Sequence, residues 1–172
     1  MATTSTPSLA LEAYLHTAYS PDRDYVDGEV EERNLGEFDH ADIQTAIASW
    51  FRQHGKAWNL RAIVELRVRV SSTRVRVPDV CLIARDSPRE QVITHPPLAV
   101  LEVLSPEDRI SRYQQRLTDY QNMGIPNIWV INPETRKGYD CSTGSWIERE
   151  SFQIEGTQIR LSLPDLFAAW ED

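Results

Sequence analysis

Apolar and polar positions along the chain alternate with periods that mark its helices and strands. Residues 8–19, SLALEAYLHTAY, place Leu11, Leu15 and Ala18 at helical spacing behind Ser8 as an N-cap. Asp27-Gly28, within YVDGEVEE (25–32), is a two-residue hairpin signal between short strand-like flanks. DHADIQTAIASWFRQHG (39–55) brings Ile43, Ile47, Trp50 and Phe51 onto one helical face, with Asp39 as N-cap and Gly55 as the stop. RAIVELRVRV (61–70) then changes period: Val64, Leu66, Val68 and Val70 alternate with Glu65, Arg67 and Arg69, which predicts one strand. RVRVPDVCLIA (74–84) starts with the same alternation and turns continuously apolar, as a strand does on entering a core covered on both sides.

PPLAVLEVLS (96–105) is a second buried strand, and it carries a single charge, Glu102. EDRISRYQQRLTDYQNMG (107–124) sets Ile110, Tyr113, Leu117 and Tyr120 on one helical face and ends at Gly124, and NIWVIN (127–132) is a further apolar strand. A strand, a helix and a strand of these lengths form a crossover unit, so 98–104 and 127–132 are expected to be parallel or close neighbours in one sheet. The remainder predicts meandering strands with turns at 142–145 and 155–156, closed by a short helix at PDLFAAW. The order predicts an α/β chain of mixed α+β character, with a mixed sheet flanked by helices.

Composition narrows the class. The 172 residues are enough for one domain, expected to span 1–172 with residues 1–7 disordered. Hydrophobic residues make up 41% and charged residues 26%, and no apolar run approaches the ~20 residues that cross a bilayer, so the chain reads as soluble, without a membrane partner. Its two cysteines, Cys81 and Cys141, do not make a disulfide framework, and the expected compartment is cytoplasmic. A net charge of −8 argues against broad phosphate binding. The arginines nonetheless cluster, with seven between Arg61 and Arg89, which reads either as a locally basic surface or as a solvated strand face.

Two apolar strands each hold one carboxylate, Asp79 and Glu102. Asp79 follows Pro78 and can stand solvated at a strand mouth. Glu102, inside LAVLEVL, has no such exit and needs either a buried arginine or a cation. Carboxylates from adjacent strands can converge on a hard divalent ion, which accepts oxygen ligands and offsets their desolvation.

RVPDV, VLEVLSPE and GIPNIWVINP, in this order and at these spacings, resemble the bacterial putative restriction endonuclease family, a branch of the PD-(D/E)XK nuclease superfamily. The resemblance runs from about Leu9 to Pro133 and loosely to LPDLF. It implies a restriction-endonuclease-like core and a metal-dependent endonuclease acting on DNA. By it, Asp79 and Glu102 are metal ligands with the backbone carbonyl of Val103 as a third. The ion is Mg²⁺, with Mn²⁺ as a substitute, holding the scissile phosphate and lowering the pKa of a bound water. Glu29 of DGE and His40 match an acidic position and a histidine of the family's site.

One position departs from the superfamily's pattern and three from the family's. The lysine of the motif would fall at Leu104, its replacement on the next helix falls at Arg116, and Arg112 and Asn132 stand where the family tends to have Asp. Arginine cannot act as a neutral base, although it can stabilise charge. The alternative is therefore a weak or inactive nuclease-fold protein that binds nucleic acid or a protein partner. Cutting both strands of a duplex with one site per chain implies a homodimer.

Overall fold

A computed structural model describes residues 9–33, 37–106, 108 and 110–171. The disorder expected for 1–7, the Ser8 cap, and helix positions Glu107 and Arg109 lie outside these residues. In chain order the elements begin with α1 (Leu11–Leu15), β1 (Asp24–Val26), β2 (Glu29–Glu31), α2 (Phe38–His54), β3 (Leu60–Val64), β4 (Val68–Ser71), β5 (Arg74–Arg76) and β6 (Val80–Ala84). They continue with β7 (Ala99–Val103), α3 (Ile110–Met123), β8 (Ile128–Asn132), β9 (Lys137–Asp140), β10 (Ile147–Arg149), β11 (Ser151–Gln153), β12 (Arg160–Ser162) and α4 (Leu163–Trp170).

Six strands form a mixed sheet in the order β10-β9-β8-β7-β6-β3, whose β7–β8 pair is parallel and joined by α3, as the crossover spacing predicts. Its central strands are continuously apolar because both faces are covered. Val80 and Leu82, Leu101 and Val103, and Trp129 and Ile131 pack in one layer with Ile43, Ile47 and Phe51 of α2 and with the C-terminal elements. Cys81 and Ile83, Val100, and Ile128 and Val130 pack in the opposite layer with Tyr113, Leu117 and Tyr120 of α3. Both cysteines are buried free thiols in this second layer, where Cys81 behaves as a small hydrophobe.

Four strands in the order β2-β1-β5-β4 make a second sheet. Its β1–β2 turn has positive φ at both Asp27 (49°) and Gly28 (96°), the backbone that a two-residue Asp-Gly hairpin requires.

The boundaries differ from expectation at five places, the first being the opening helix, read over 8–19 with Ala18 on its face, which spans only Leu11–Leu15. The alternating run 61–70 is two strands: β3 belongs to the six-stranded sheet and β4 to the four-stranded one, and the chain turns between them at Glu65, whose φ is +51°. The run 74–84 divides in the same way, β5 from β6, at Val77-Pro78-Asp79, where proline removes a ladder donor. Asp39 lies in the first turn of α2, and the cap position belongs to Glu37. Ile110, expected on the buried face of α3, is 79% exposed at its first residue. Among the described residues no helix is long and apolar enough to cross a membrane.

Candidate active site

The register of two strands brings the two carboxylates together. β6 and β7 pair antiparallel with Val80 opposite Leu101, so the next positions along each strand, Asp79 and Glu102, face each other at the end of the ladder. Both point into the layer beneath α3, and they are 2% and 1% exposed. In place of a ladder bond, the Val103 amide donates to Asp79 Oδ2 at 2.7 Å. A cavity of about 140 Å³ opens over the pair, bordered also by Arg33, His40, Tyr113 and Arg116.

Each carboxylate has an arginine. Arg33, at the end of the chain segment following β2, donates from Nη2 to Asp79 Oδ1 at 2.8 Å. Arg116, one turn before Tyr120 on α3, brings Nη2 within 3.0 Å of Glu102 Oε1 and also donates to the Val77 carbonyl. The Tyr120 hydroxyl donates to the same Glu102 oxygen. His40, in the first turn of α2, places Nε2 3.3 Å from Asp79 Oδ2. Gln44, one turn further on, donates to the Asp79 backbone carbonyl.

This arrangement sets the two carboxyls apart. Burial alone would raise Asp79, but the His40 hydrogen bond and the Arg33 charge outweigh it and hold the carboxyl at about 2. Glu102 is pushed up to about 8, chiefly by burial and with Asp79's charge adding to it, although Arg116 and Tyr120 favour its ionised form. For His40, burial works against the proton, but the hydrogen bond and charge of Asp79 prevail and raise its pKa.

Five of the six predicted site positions meet here: Asp79, Glu102, Val103, His40 and Arg116 all border the cavity. Glu29 does not border it; it is exposed at the start of β2, opposite Val26 on the hairpin. Arg112 is exposed on α3, so the two helix arginines have different surroundings. Asn132 Oδ1 accepts from the backbone N–H groups of Glu134 and Thr135, closing the turn after β8. Arg33, Tyr113 and Tyr120 are additions that sequence reading did not single out as site residues. The tyrosines could have been found, since 113, 116 and 120 follow one another around a single helical face. Arg33 carries no local signal.

The donor set fits a hard cation of the Mg²⁺ type. A carboxylate offers about four lone-pair positions. Asp79 spends three on Arg33, His40 and the Val103 amide, while Tyr120 and Arg116 both lie on Oε1 of Glu102. The Val103 carbonyl receives only the Tyr113 hydroxyl, at 3.3 Å, among the described residues. No group of three His, Cys, Asp or Glu side chains that could hold a metal occurs among the described residues. The protein's share would be two carboxylates and a carbonyl, and Mg²⁺ commonly takes one or two carboxylates and completes its shell with water and phosphate.

Three arginines of the cluster, Arg67, Arg74 and Arg76, form neither a basic surface nor a solvated face, whereas Arg61 and Arg89 are exposed. Arg67 pairs with Asp22, and Arg74 with Asp27 and Asp119. Arg76, 1% exposed, pairs with Asp24, Glu31 and Asp119.

The fold has solved counterparts. It is similar to the crystal structure of a putative nuclease belonging to DUF820 from Anabaena variabilis, with a TM-score of 0.79 at 20% identity, covering 94% of this chain and 98% of that one. This likeness confirms the restriction-endonuclease-like arrangement of a mixed sheet flanked by helices. A DrdV–DNA complex matches at a TM-score of 0.46 and 15% identity, over 74% of this chain and 10% of that one. Among curated proteins none matches. Residues 11–171 match the model of one family, and the chain belongs to it: Uma2, "Putative restriction endonuclease".

Proposed function

We propose that this protein is a metal-dependent endonuclease that hydrolyses phosphodiester bonds of DNA. The observation that supports it is the convergence of Asp79 and Glu102, both buried, on one cavity edged by two guanidinium groups. Asp79, Glu102 and the Val103 carbonyl would hold Mg²⁺, or Mn²⁺ in its place. When bound, the ion supplies Lewis-acid stabilisation of the phosphoryl oxygens. His40 keeps its Nε2 proton on Asp79 and fixes the orientation of that carboxylate. Arg33 and Arg116 provide the positive charge expected of the absent lysine. Their N–H groups are donors for charge that builds on the phosphoryl oxygens. A single copy would nick one strand, and a cut through both requires a two-fold dimer.

A second reading has its own support. Both carboxylates already have arginine partners, and such pairing can neutralise a buried acidic site without a cation. On that reading the protein is a weak or inactive member that binds nucleic acid or a protein partner. Supercoiled plasmid with Mg²⁺ or Mn²⁺ separates the two. The parent should convert it to the nicked circle, and Asp79→Ala and Glu102→Ala should not. Calorimetry of the same proteins should show divalent-ion uptake that Asp79→Ala abolishes. Variants that cut as well as the parent would overturn the assignment of these residues, and a parent that neither cuts nor takes up the ion supports the second reading.

A further inference from the structure

The proposed chemistry uses the small cavity and leaves its larger neighbour without a role. An open cleft of about 600 Å³ starts where the parallel pair β7–β8 ends, at Leu104-Ser105 and Asn132-Pro133, and shares His40, Asp108 and Tyr113 with the small cavity. The carboxyl ends of parallel strands are where open α/β sheets place their ligands. Tyr139 and Trp146, with ring centroids 5.6 Å apart, stand together in its lining.

Two donors in this lining lack a partner among the described residues: the Trp146 indole N–H and the hydroxyl of Ser105, a residue only 7% exposed. An unpaired buried donor is costly, which marks a site where something else is meant to accept. The hydroxyl reaches a new partner by rotation about one bond. The edge is acidic. Glu37, Asp39 and Glu134 line the cleft, and His40 is its one titratable base among the described residues. That edge repels a phosphate, yet it accepts from N–H donors on a neutral ligand.

We propose that the cleft seats one nucleobase of a strand whose phosphate lies over Asp79 and Glu102, and that it prefers bases carrying an exocyclic amine, such as cytosine, over thymine. This rests on the nuclease reading of the neighbouring cavity. The base would stack on the Tyr139 ring, which is inclined 56° to Trp146, so that the in-plane Trp146 N–H meets its edge; its amine would donate to the acidic edge, and its carbonyl or ring nitrogen would accept from Trp146 and Ser105. Thymine turns a carbonyl toward those carboxylates where cytosine turns an amine.

Fluorescein-labelled single-stranded dodecamers of dC and dT, titrated with the full chain in Ca²⁺ as an inert divalent ion and followed by anisotropy, test this without cleavage. We expect dC to bind about tenfold tighter than dT. Trp146→Ala should weaken both, and Trp146→Phe, which keeps a ring but not the N–H, should weaken dC by several-fold. Glu37→Gln/Glu134→Gln changes exposed side chains, leaves the wall in place and should bring the dC:dT ratio close to one. Equal binding of the two strands, or a ratio that survives the double Gln variant, would overturn the proposal. So would equal binding accompanied by displacement with oligolysine, which would assign the acidic edge to a basic peptide. Plasmid nicking by the same preparation is scored alongside. Selective binding without nicking removes the nuclease reading and keeps the base site, whereas nicking with unselective binding removes the base site alone.

Discussion

Glu102 is buried in the sheet and has lost its water, which is the main cause that raises its pKa, and the charge of Asp79 opposite adds to it. Arg116 and Tyr120 compensate it from the same helix face. Breaking a buried pair by removing one partner is far more damaging than replacing both, since the survivor is left charged and unsolvated. Arg116→Ala is therefore expected to lower the unfolding free energy by up to about 3–5 kcal/mol above pH 8, measured by urea denaturation in EDTA, and by less at lower pH, where Glu102 takes up a proton. Loss of less than about 1 kcal/mol above pH 8 would show that Glu102 is held by something other than this arginine. Arg116→Lys keeps the charge on Glu102 and replaces a fork that cannot lose its proton with an amine that can. Its nicking rate should exceed the parent's, and an unchanged rate would show that the absent lysine is not what limits cleavage.

At the scale of elements, the β1–β2 hairpin is tied to α3 by charge. Asp27 accepts from Arg74 and from the Thr73 hydroxyl, and Arg74 also reaches Asp119 on the helix. The hydrogen bonds from Arg74 and Thr73 hold the Asp27 carboxyl down at about 2. A carboxyl depressed on folding binds fewer protons in the native state, so its stabilisation is present above its unfolded pKa of 3.8 and is lost as pH falls through about 2. Asp27→Asn keeps a residue that tolerates the positive φ of the turn and removes only the titration. Between pH 5 and pH 2 the parent's thermal midpoint should fall further than the variant's, by a modest amount because the side chain is 52% exposed. Parallel curves for the two proteins would sink this account. The same elements show where pattern reading works. Residues 99–103 and 128–132 were legible because burial on both faces leaves an unbroken apolar run, and the helix between them made the pair parallel. The breaks at Glu65 and at Val77–Asp79 were not, because alternation continues through the first turn and an apolar run follows the second at once, although the chain changes sheet at both. Arg33 and Arg76 were hidden for another reason: their partners lie 46 and 43 residues away in the chain, and a single sequence holds no trace of such a pairing.

Taken as a whole, the molecule has an excess of negative charge, yet a nuclease must hold a polyanion. The net charge is −8, and three arginines of the basic segment, Arg67, Arg74 and Arg76, are directed inward, to Asp22, Asp24, Asp27 and Asp119. These three are withheld from phosphates along a duplex, so association would depend chiefly on the site itself: a divalent ion between the strand and two carboxylates, two guanidinium groups, and the cleft beside them. The consequence can be measured. For B-DNA the slope of log K against log salt is about −0.9 for each phosphate neutralised, so Arg33, Arg116 and one further contact correspond to a slope near −3. Anisotropy titrations of a short duplex across a salt series, with an inert divalent ion present, should give a shallow slope of that order. A slope steeper than about −6 would mean that many more phosphates are neutralised than this site accounts for, by outlying arginines or by internal arginine pairs that open when DNA binds.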